Sequence, residues 1–311
     1  MRSSSRSTNP PQKGSQADPS LSGADQLVLP DKGITPLPEL GQSWQFPSDH
    51  IPVAAEIMGT RLCTWNVLNS RWTSFFSENA EGLAASSIVS DNIRIAPDTR
   101  LTVRDQKVTT ICLELLKNVD LLLLQECGPA FSFELAEKIP APFQMIRTLM
   151  IGSENDIFVV YNSQRLSYHP KESQLLDSPY EAKDLRPIMN LLFQKQDGSK
   201  LRVIHSHVPG DPELPCLNEF AGHIGNTYSP EITTIVAGDL NFLKSEVQEK
   251  LAGVGINGET YLSNMNTSIG PKRGAKCIDH IIVLNPTGPC QAIDASELAP
   301  EIAAASSLIN P

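Results

Sequence analysis

Carboxylates, amides and imidazoles stand where apolar runs of this chain end. Asn66 sits in Thr-Trp-Asn-Val-Leu, Glu126 in Leu-Leu-Gln-Glu, and His207 in His-Ser-His-Val; Asp239 and Asn241 share Gly-Asp-Leu-Asn-Phe, and Asp279 lies in Cys-Ile-Asp-His-Ile. The carboxylates offer hard oxygens that suit a divalent cation, and an imidazole exchanges a proton near neutral pH. An apolar strand followed at once by such a group is how a sheet presents chemistry along one edge. Each has a structural explanation when taken singly, and Asp239 and Asn241 in particular suit a Gly-Asp turn. Five such strand ends in one chain point to a common site.

The elements that must position these groups follow from the apolar pattern. Alternation over Ile51–Ile57 and again over Leu62–Leu68 predicts two strands joined as a hairpin at Met58-Gly59. Val108, Ile111, Cys112, Leu115 and Leu116 follow the i, i+3, i+4, i+7, i+8 rhythm of a helix with one buried face, which Asn118 can end. Leu121–Leu124 is a short unbroken apolar run, as expected of a strand buried on both faces that delivers Glu126 at its C-terminal end. Further strands are predicted at Ile157–Tyr161, Ile188–Phe193, Leu201–Val208, Ile232–Ala237 and Cys277–Leu284, with weaker helices near Phe133–Ile139 and Leu217–Ile224. Buried strands mixed with a few helices predict an α/β sandwich.

Composition limits what else the chain can be. No apolar run in the 311 residues approaches the roughly 20 needed to cross a membrane as a helix, so no transmembrane segment is expected. Residues 1–47 hold 7 Pro, 8 Ser and 4 Gly with little apolar periodicity; the expectation is a disordered tail over residues 1–25 and a single domain over 26–311. The net charge of −10 argues against indiscriminate binding to nucleic-acid backbones, while leaving room for a local basic groove. Six cysteines without CxxC spacing suit a cytoplasmic or otherwise reducing compartment. The start lacks the apolar stretch of a secretory signal, although its Arg/Ser-rich, acid-poor composition leaves a transit peptide open.

The ordered set Trp-Asn, Gln-Glu, His-x-His-Val, Gly-Asp-Leu-Asn and Ile-Asp-His-Ile resembles the endonuclease/exonuclease/phosphatase superfamily, over most of residues 46–285. The resemblance implies the DNase I-like fold, a two-sheet α/β sandwich flanked by helices, and a metal-dependent phosphoesterase activity. Relatives close with a Ser-Asp-His-x-Pro strand that carries the catalytic histidine, yet residues 285–311 contain no histidine. Phe46-Pro47-Ser48-Asp49-His50-Ile51-Pro52-Val53 resembles that closing strand, and it stands just before the strand that normally opens the fold. The chain therefore reads as a circular permutant, with Met58-Gly59 as the new connection and the old loop split into a C-terminal tail and a Pro-rich front. The linear alternative makes Asp279-His280 the catalytic pair.

The resemblance also implies roles. Glu126 would ligate Mg²⁺ or Mn²⁺, with Asp49 and Asn66 as its neighbours. His50, oriented by Asp279, would act as general base or as a cationic phosphate clamp; alternatively Asp239 would position or deprotonate the water. Asn241 and His207 would donate to the non-bridging oxygens, and Arg186, in Asp-Leu-Arg-Pro, resembles the phosphate-contacting arginine of relatives, although a surface position suits it equally. His280 stands where relatives often have tyrosine and is expected to point into packing or the rim and not to the metal. A competing zinc reading of the His205-x-His207 pair finds no further histidine in a recognisable spacing. Trp-Asn-Val-Leu, Ile-Asp-His-Ile and Pro-Ser-Asp-His look most like the poly(A)-deadenylase branch, which makes RNA or DNA the expected substrate. A phosphoinositide or sphingomyelin head group is the alternative on the same scaffold, and a non-catalytic binding module is the alternative of another class.

Overall fold

A computed structural model describes residues 47–68, 103–148, 156–176, 180, 186–210, 215–263, 266–270, 274–299, 302–303 and 305. The expected tail over residues 1–25 lies outside them. Two mixed sheets stack face to face. The first has the strand order β15 (Cys290–Ile293), β1 (Val53–Ile57), β2 (Thr60–Asn66), β3 (Leu121–Cys127), β5 (Asp156–Asn162), β4 (Phe143–Arg147). The second runs β11 (Thr260–Tyr261), β14 (Asp279–Leu284), β10 (Thr233–Asp239), β9 (Lys200–Ser206), β8 (Ile188–Lys195), β6 (Leu166–Tyr168), with β7 (Gln174–Leu176) also on β8. A separate ribbon pairs β12 (Ser268–Gly270) with β13 (Gly274–Lys276).

Each sheet contains one parallel pair, β2 with β3 and β9 with β10, and each pair is joined across a helix. These are α1 (Val103–Leu115) and α3 (Cys216–Thr227). A parallel pair needs such a crossover, and its helix covers the outer face of the sheet. Helices α2 (Pro129–Lys138) and α4 (Lys244–Gly253) complete the two outer layers.

The alternation of side chains along the strands explains the layers. Leu121 and Leu123 face inward with Val159, Leu191, Val203, Ile235 and Ile281 in the core between the sheets. Leu122 and Leu124 face outward, against Ile111, Leu115 and Leu135 of the helices. A strand buried on both faces must be apolar throughout, and all four leucines are fully buried. On the second sheet, Ile204, Val236 and Ile282 likewise turn outward to Leu217, Phe220 and Leu251.

The predicted hairpin is present: Ile57 pairs with Thr60 across Met58 and Gly59, both at positive φ (52° and 73°), as a two-residue turn matched to strand twist requires. Helix α2 starts earlier than the pattern near Phe133 suggests, because Pro129 opens it with a φ already suited to a first turn. One expectation is corrected. The segment after Asn285 is not merely tail: β15 pairs with β1, and Leu298, Ala299, Ile302 and Ala305 join the cluster under α1.

Candidate active site

The C-terminal ends of β2, β3, β9 and β10, together with the start of β14 and the loop before β1, meet at one edge of the sandwich. There they line a cleft of about 340 Å³ bounded by Asp49, His50, Glu126, Arg186, His207, Asp239 and Asn241, with Gly210, Ser268, Lys276 and Ile278. Antiparallel pairing sets Asp239 of β10 directly opposite Asp279 of β14.

His50 is held by its own loop. Its backbone N–H donates to Ser48 Oγ at 3.0 Å, and Ser48 Oγ in turn donates to the Asn66 carbonyl at 2.7 Å. The indole N–H of Trp65 donates to the His50 carbonyl at 3.0 Å, which gives the tryptophan of the Thr-Trp-Asn stretch a physical task. The ring then reaches Asp279: Nδ1–H donates to its two oxygens at 2.9 and 3.1 Å. Because an ionised carboxylate only accepts, Nδ1 must carry a proton and Nε2 is the edge left to face the cleft. Nε2 lies 3.2 Å from Ser268 Oγ, 3.6 Å from Asp239 Oδ2 and 3.9 Å from Asp49 Oδ1.

Glu126 reaches the cleft through an irregularity. The register of β3 on β5 shifts between Leu124 and Cys127, and Glu126 adopts a left-handed φ of 55°. Such a backbone costs a non-glycine residue about 1–3 kcal/mol. The four buried leucines before it, each contributing about 1.5–3 kcal/mol, outweigh that cost. Asn66 bridges the two sheets, with Nδ2–H donating to Glu126 Oε1 and Asp239 Oδ2, both at 3.0 Å. Its Oδ1 accepts the Leu68 N–H at 2.9 Å, so the amide turns its nitrogen rather than its oxygen to the carboxylates. The structure thus brings Asn66 to the site, its amide nitrogen bonded to both carboxylates. Asn241, at φ 58°, gives its N–H to Asp239 Oδ1 and its side-chain amide to the Val208 carbonyl. Arg186 lies against His207 Nε2 in the cleft and not on open surface.

Electrostatics divide the titratable groups. Burial alone would depress His50, but the charges of Asp279, Asp49 and Asp239 overcome it and hold the imidazole well above its ordinary pKa. Burial, with Arg186, His50 and His205 nearby, drives His207 well below. Asp239 is pushed up to about 7 by burial, partly offset by His50 and reinforced by Asp279 and Glu126. Asp49 rises to about 6 for the same first reason, His50 again opposing and Glu126 reinforcing. A site that sets its acids and its imidazoles apart in this way has distinct proton donors and acceptors near neutral pH.

The residues present fit a divalent cation. Asp49, Glu126 and Asp239 repel one another, and Asp49 Oδ1 is buried without a hydrogen-bond partner. An oxygen so placed is a natural metal ligand. His50, Asp239 and Asp279 also converge within 4.8 Å, but the His50 and Asp279 atoms between them are already bonded to each other.

No model of a protein family matches the chain, nor does any curated protein. Among solved structures it is similar to TDP2 from D. rerio complexed with a single strand DNA product, at 15% identity over 60% of this chain and 79% of that one, with a TM-score of 0.48. It is also similar to the human Nocturnin catalytic domain with bound sulfate (13%, 76% and 83%, 0.46) and to an endonuclease/exonuclease/phosphatase from Bacteroides vulgatus (15%, 58% and 77%, 0.45).

Two histidines settle elsewhere. His205 points into the core between the sheets, its ring nitrogens 3.1 Å from the carbonyls of Ala237 and Leu124, which leaves neither for a metal. His280 faces the helical layer, bonded to the Phe242 carbonyl at 2.8 Å and edge-on to Tyr261. Thr267, Ser268 and Lys276 belong to the site and escaped the sequence reading. Their ribbon is short, with no apolar run to mark it as a strand; its one signal in the sequence is the pair of glycines Gly270 and Gly274.

Proposed function

We propose that the chain is a phosphodiesterase of the endonuclease/exonuclease/phosphatase superfamily, dependent on Mg²⁺ or Mn²⁺, whose substrate is single-stranded or duplex nucleic acid. The observation that carries the reading is the His50–Asp279 pair, formed across 229 residues and set within 4 Å of Asp239, at a cleft edge shared with Glu126 and Arg186. The chain is further proposed to be circularly permuted and to fold as one domain from about residue 26. In support, the Ser-Asp-His loop feeds β1, the hairpin partner of β2, and one apolar core joins the two sheets.

Glu126 and Asp49 would hold the cation, with Asp239 beside them, and Asn66 would steady the Glu126 carboxylate. The bound ion supplies positive charge to the phosphoryl oxygens. Arg186 and His207, beside Glu126 and Asp239, would bind those oxygens, and the planar guanidinium suits two of them at once. His50, kept cationic by three carboxylates, adds charge where it develops in the transition state and holds a proton at Nε2 for the leaving oxygen. Asp239, with a pKa near 7, receives the proton of the attacking water, and the Asn241 N–H fixes its other oxygen.

Turnover of single-stranded RNA, single-stranded DNA, duplex DNA, phosphoinositide vesicles and sphingomyelin vesicles, each with Mg²⁺ and with EDTA, tests the reading. Mg²⁺-restored cleavage of a nucleic acid is expected. Cleavage confined to a lipid head group would replace the substrate assignment, and EDTA-resistant activity would remove the metal.

A further inference from the structure

The ribbon β12–β13 flanks the His50–Asp279 pair and lines part of the cleft with Ser268 and Lys276, and it holds the pair through groups the proposed chemistry does not use. Ile51 donates its N–H to the Thr267 carbonyl at 2.7 Å, and a β-bridge joins His50 to Ser268. Thr267 is fully buried. Its Oγ1 accepts two backbone N–H groups, from Ile278 at 3.3 Å and Asp279 at 3.1 Å. A hydroxyl has two acceptor sites and one proton. With both acceptor sites engaged, the proton goes to the closest acceptor, Asp279 Oδ2 at 2.6 Å; the Lys276 carbonyl, the other oxygen in reach, is at 3.4 Å.

We infer that Thr267 is a positioning residue: its hydroxyl locks the Asp279 carboxylate in the rotamer that receives His50 Nδ1–H, and so aims Nε2 into the cleft. A carboxylate bonded to histidine alone is free to swing about its Cα–Cβ and Cβ–Cγ bonds. Two donors on Oδ2, the Thr267 hydroxyl and His50 Nδ1–H, leave it a single orientation. Misaiming an imidazole by about 1 Å costs on the order of a hundredfold in rate. The inference rests on the phosphodiesterase reading for its kinetic test alone, since the hydrogen-bond chain itself is observable without turnover.

The test compares Thr267→Val, which keeps the shape and removes the hydroxyl, with Thr267→Ser, which restores it. With bis-p-nitrophenyl phosphate and Mg²⁺, Thr267→Val is expected to lower kcat about tenfold or more while KM stays within about twofold; Thr267→Ser should recover most of the loss. In an Asp279→Ala background, Thr267→Val should cost nothing further. In parallel, proton NMR of the metal-free protein reads the His50 Nδ1–H resonance. It is expected to be protected from exchange in the wild type and in Thr267→Ser, and broadened or lost in Thr267→Val. If Thr267→Val does not fold, Thr267→Ala takes its place in both measurements. An unchanged kcat with an unchanged Nδ1–H signal overturns the inference, as does a serine variant as slow as the valine one. A wild type that turns over no phosphodiester defeats the functional reading, and the NMR comparison then decides the positioning role by itself.

Discussion

His50 and His280 are both buried histidines within reach of the Asp279 segment, and what separates them is the other groups each ring meets. His50 Nε2 opens onto two acidic oxygens and a cleft; His280 spends both nitrogens on Ser263 and the Phe242 carbonyl. His50→Ala is therefore expected to lower turnover by on the order of 10²–10⁴-fold with little change in unfolding midpoint. His280→Gln should leave turnover within a factor of roughly three and reduce stability by about 1–3 kcal/mol, through loss of a buried bond. Kinetics and urea denaturation of the two variants check this, and the reverse pattern would restore the linear reading. A second expectation concerns the cation. Mg²⁺ should raise the thermal midpoint of the wild type and fail to raise that of Glu126→Gln, which a melting series across Mg²⁺ concentrations reads directly. At this scale the sequence was informative wherever a polar residue closed an apolar run, as Glu126 and Asp239 do. It was silent on Thr267, whose contribution depends on meeting Asp279 across a ribbon that no periodicity announces.

The strands carry the site only because neighbouring backbones approach closely. At the end of β10, Gly238 has φ 143°, and a Cβ there would stand 1.9 Å from the Ser206 carbonyl oxygen of β9. Gly238→Ala should therefore destabilise the protein by about 3–5 kcal/mol, measured as a shift in urea midpoint, since neither backbone can yield without moving Asp239 or His207. His205 ties β9 to β3 of the other sheet. Burial lowers its pKa to about 4, against 6.5 for the exposed group. Between those values the unfolded chain takes up a proton that the native ring refuses, so its contribution to stability falls as pH falls through that window, by about 3 kcal/mol in all. Urea midpoints of wild type and His205→Gln, followed from pH 7.5 to 4, should converge as the wild type loses that amount; a gap independent of pH would sink the assignment. The buried strands and α1 were legible because apolar residues filled every turn of their pattern. Helix α4 was not, with only Val247 and Leu251 buried, and neither was β15, which has no strong pattern of its own and is ordered by its pairing with β1.

On the scale of the molecule, the two sheets and their crossovers follow from the order of the apolar runs. The end of the chain did not, because Leu298, Ala299, Ile302 and Ala305 carry no strong pattern of their own and are buried in the cluster that includes α1. If the chain is a permutant, opening it between Met58 and Gly59 and joining the present ends by a flexible Gly/Ser linker should restore the ordinary strand order, with native melting behaviour and activity retained; a rearranged protein that fails to fold would count against the permutation. The span between His50 and Asp279 has a further consequence for how the protein comes into being. At synthesis rates of about 5–20 residues per second, roughly 10–50 s separate the emergence of the histidine from that of its aspartate. During that interval the growing chain gains Asn66, Glu126, His207 and Asp239 in turn, yet lacks the partner that orients His50. An unfinished chain is thus without a completed His50–Asp279 pair, which can form only after β14 has been made.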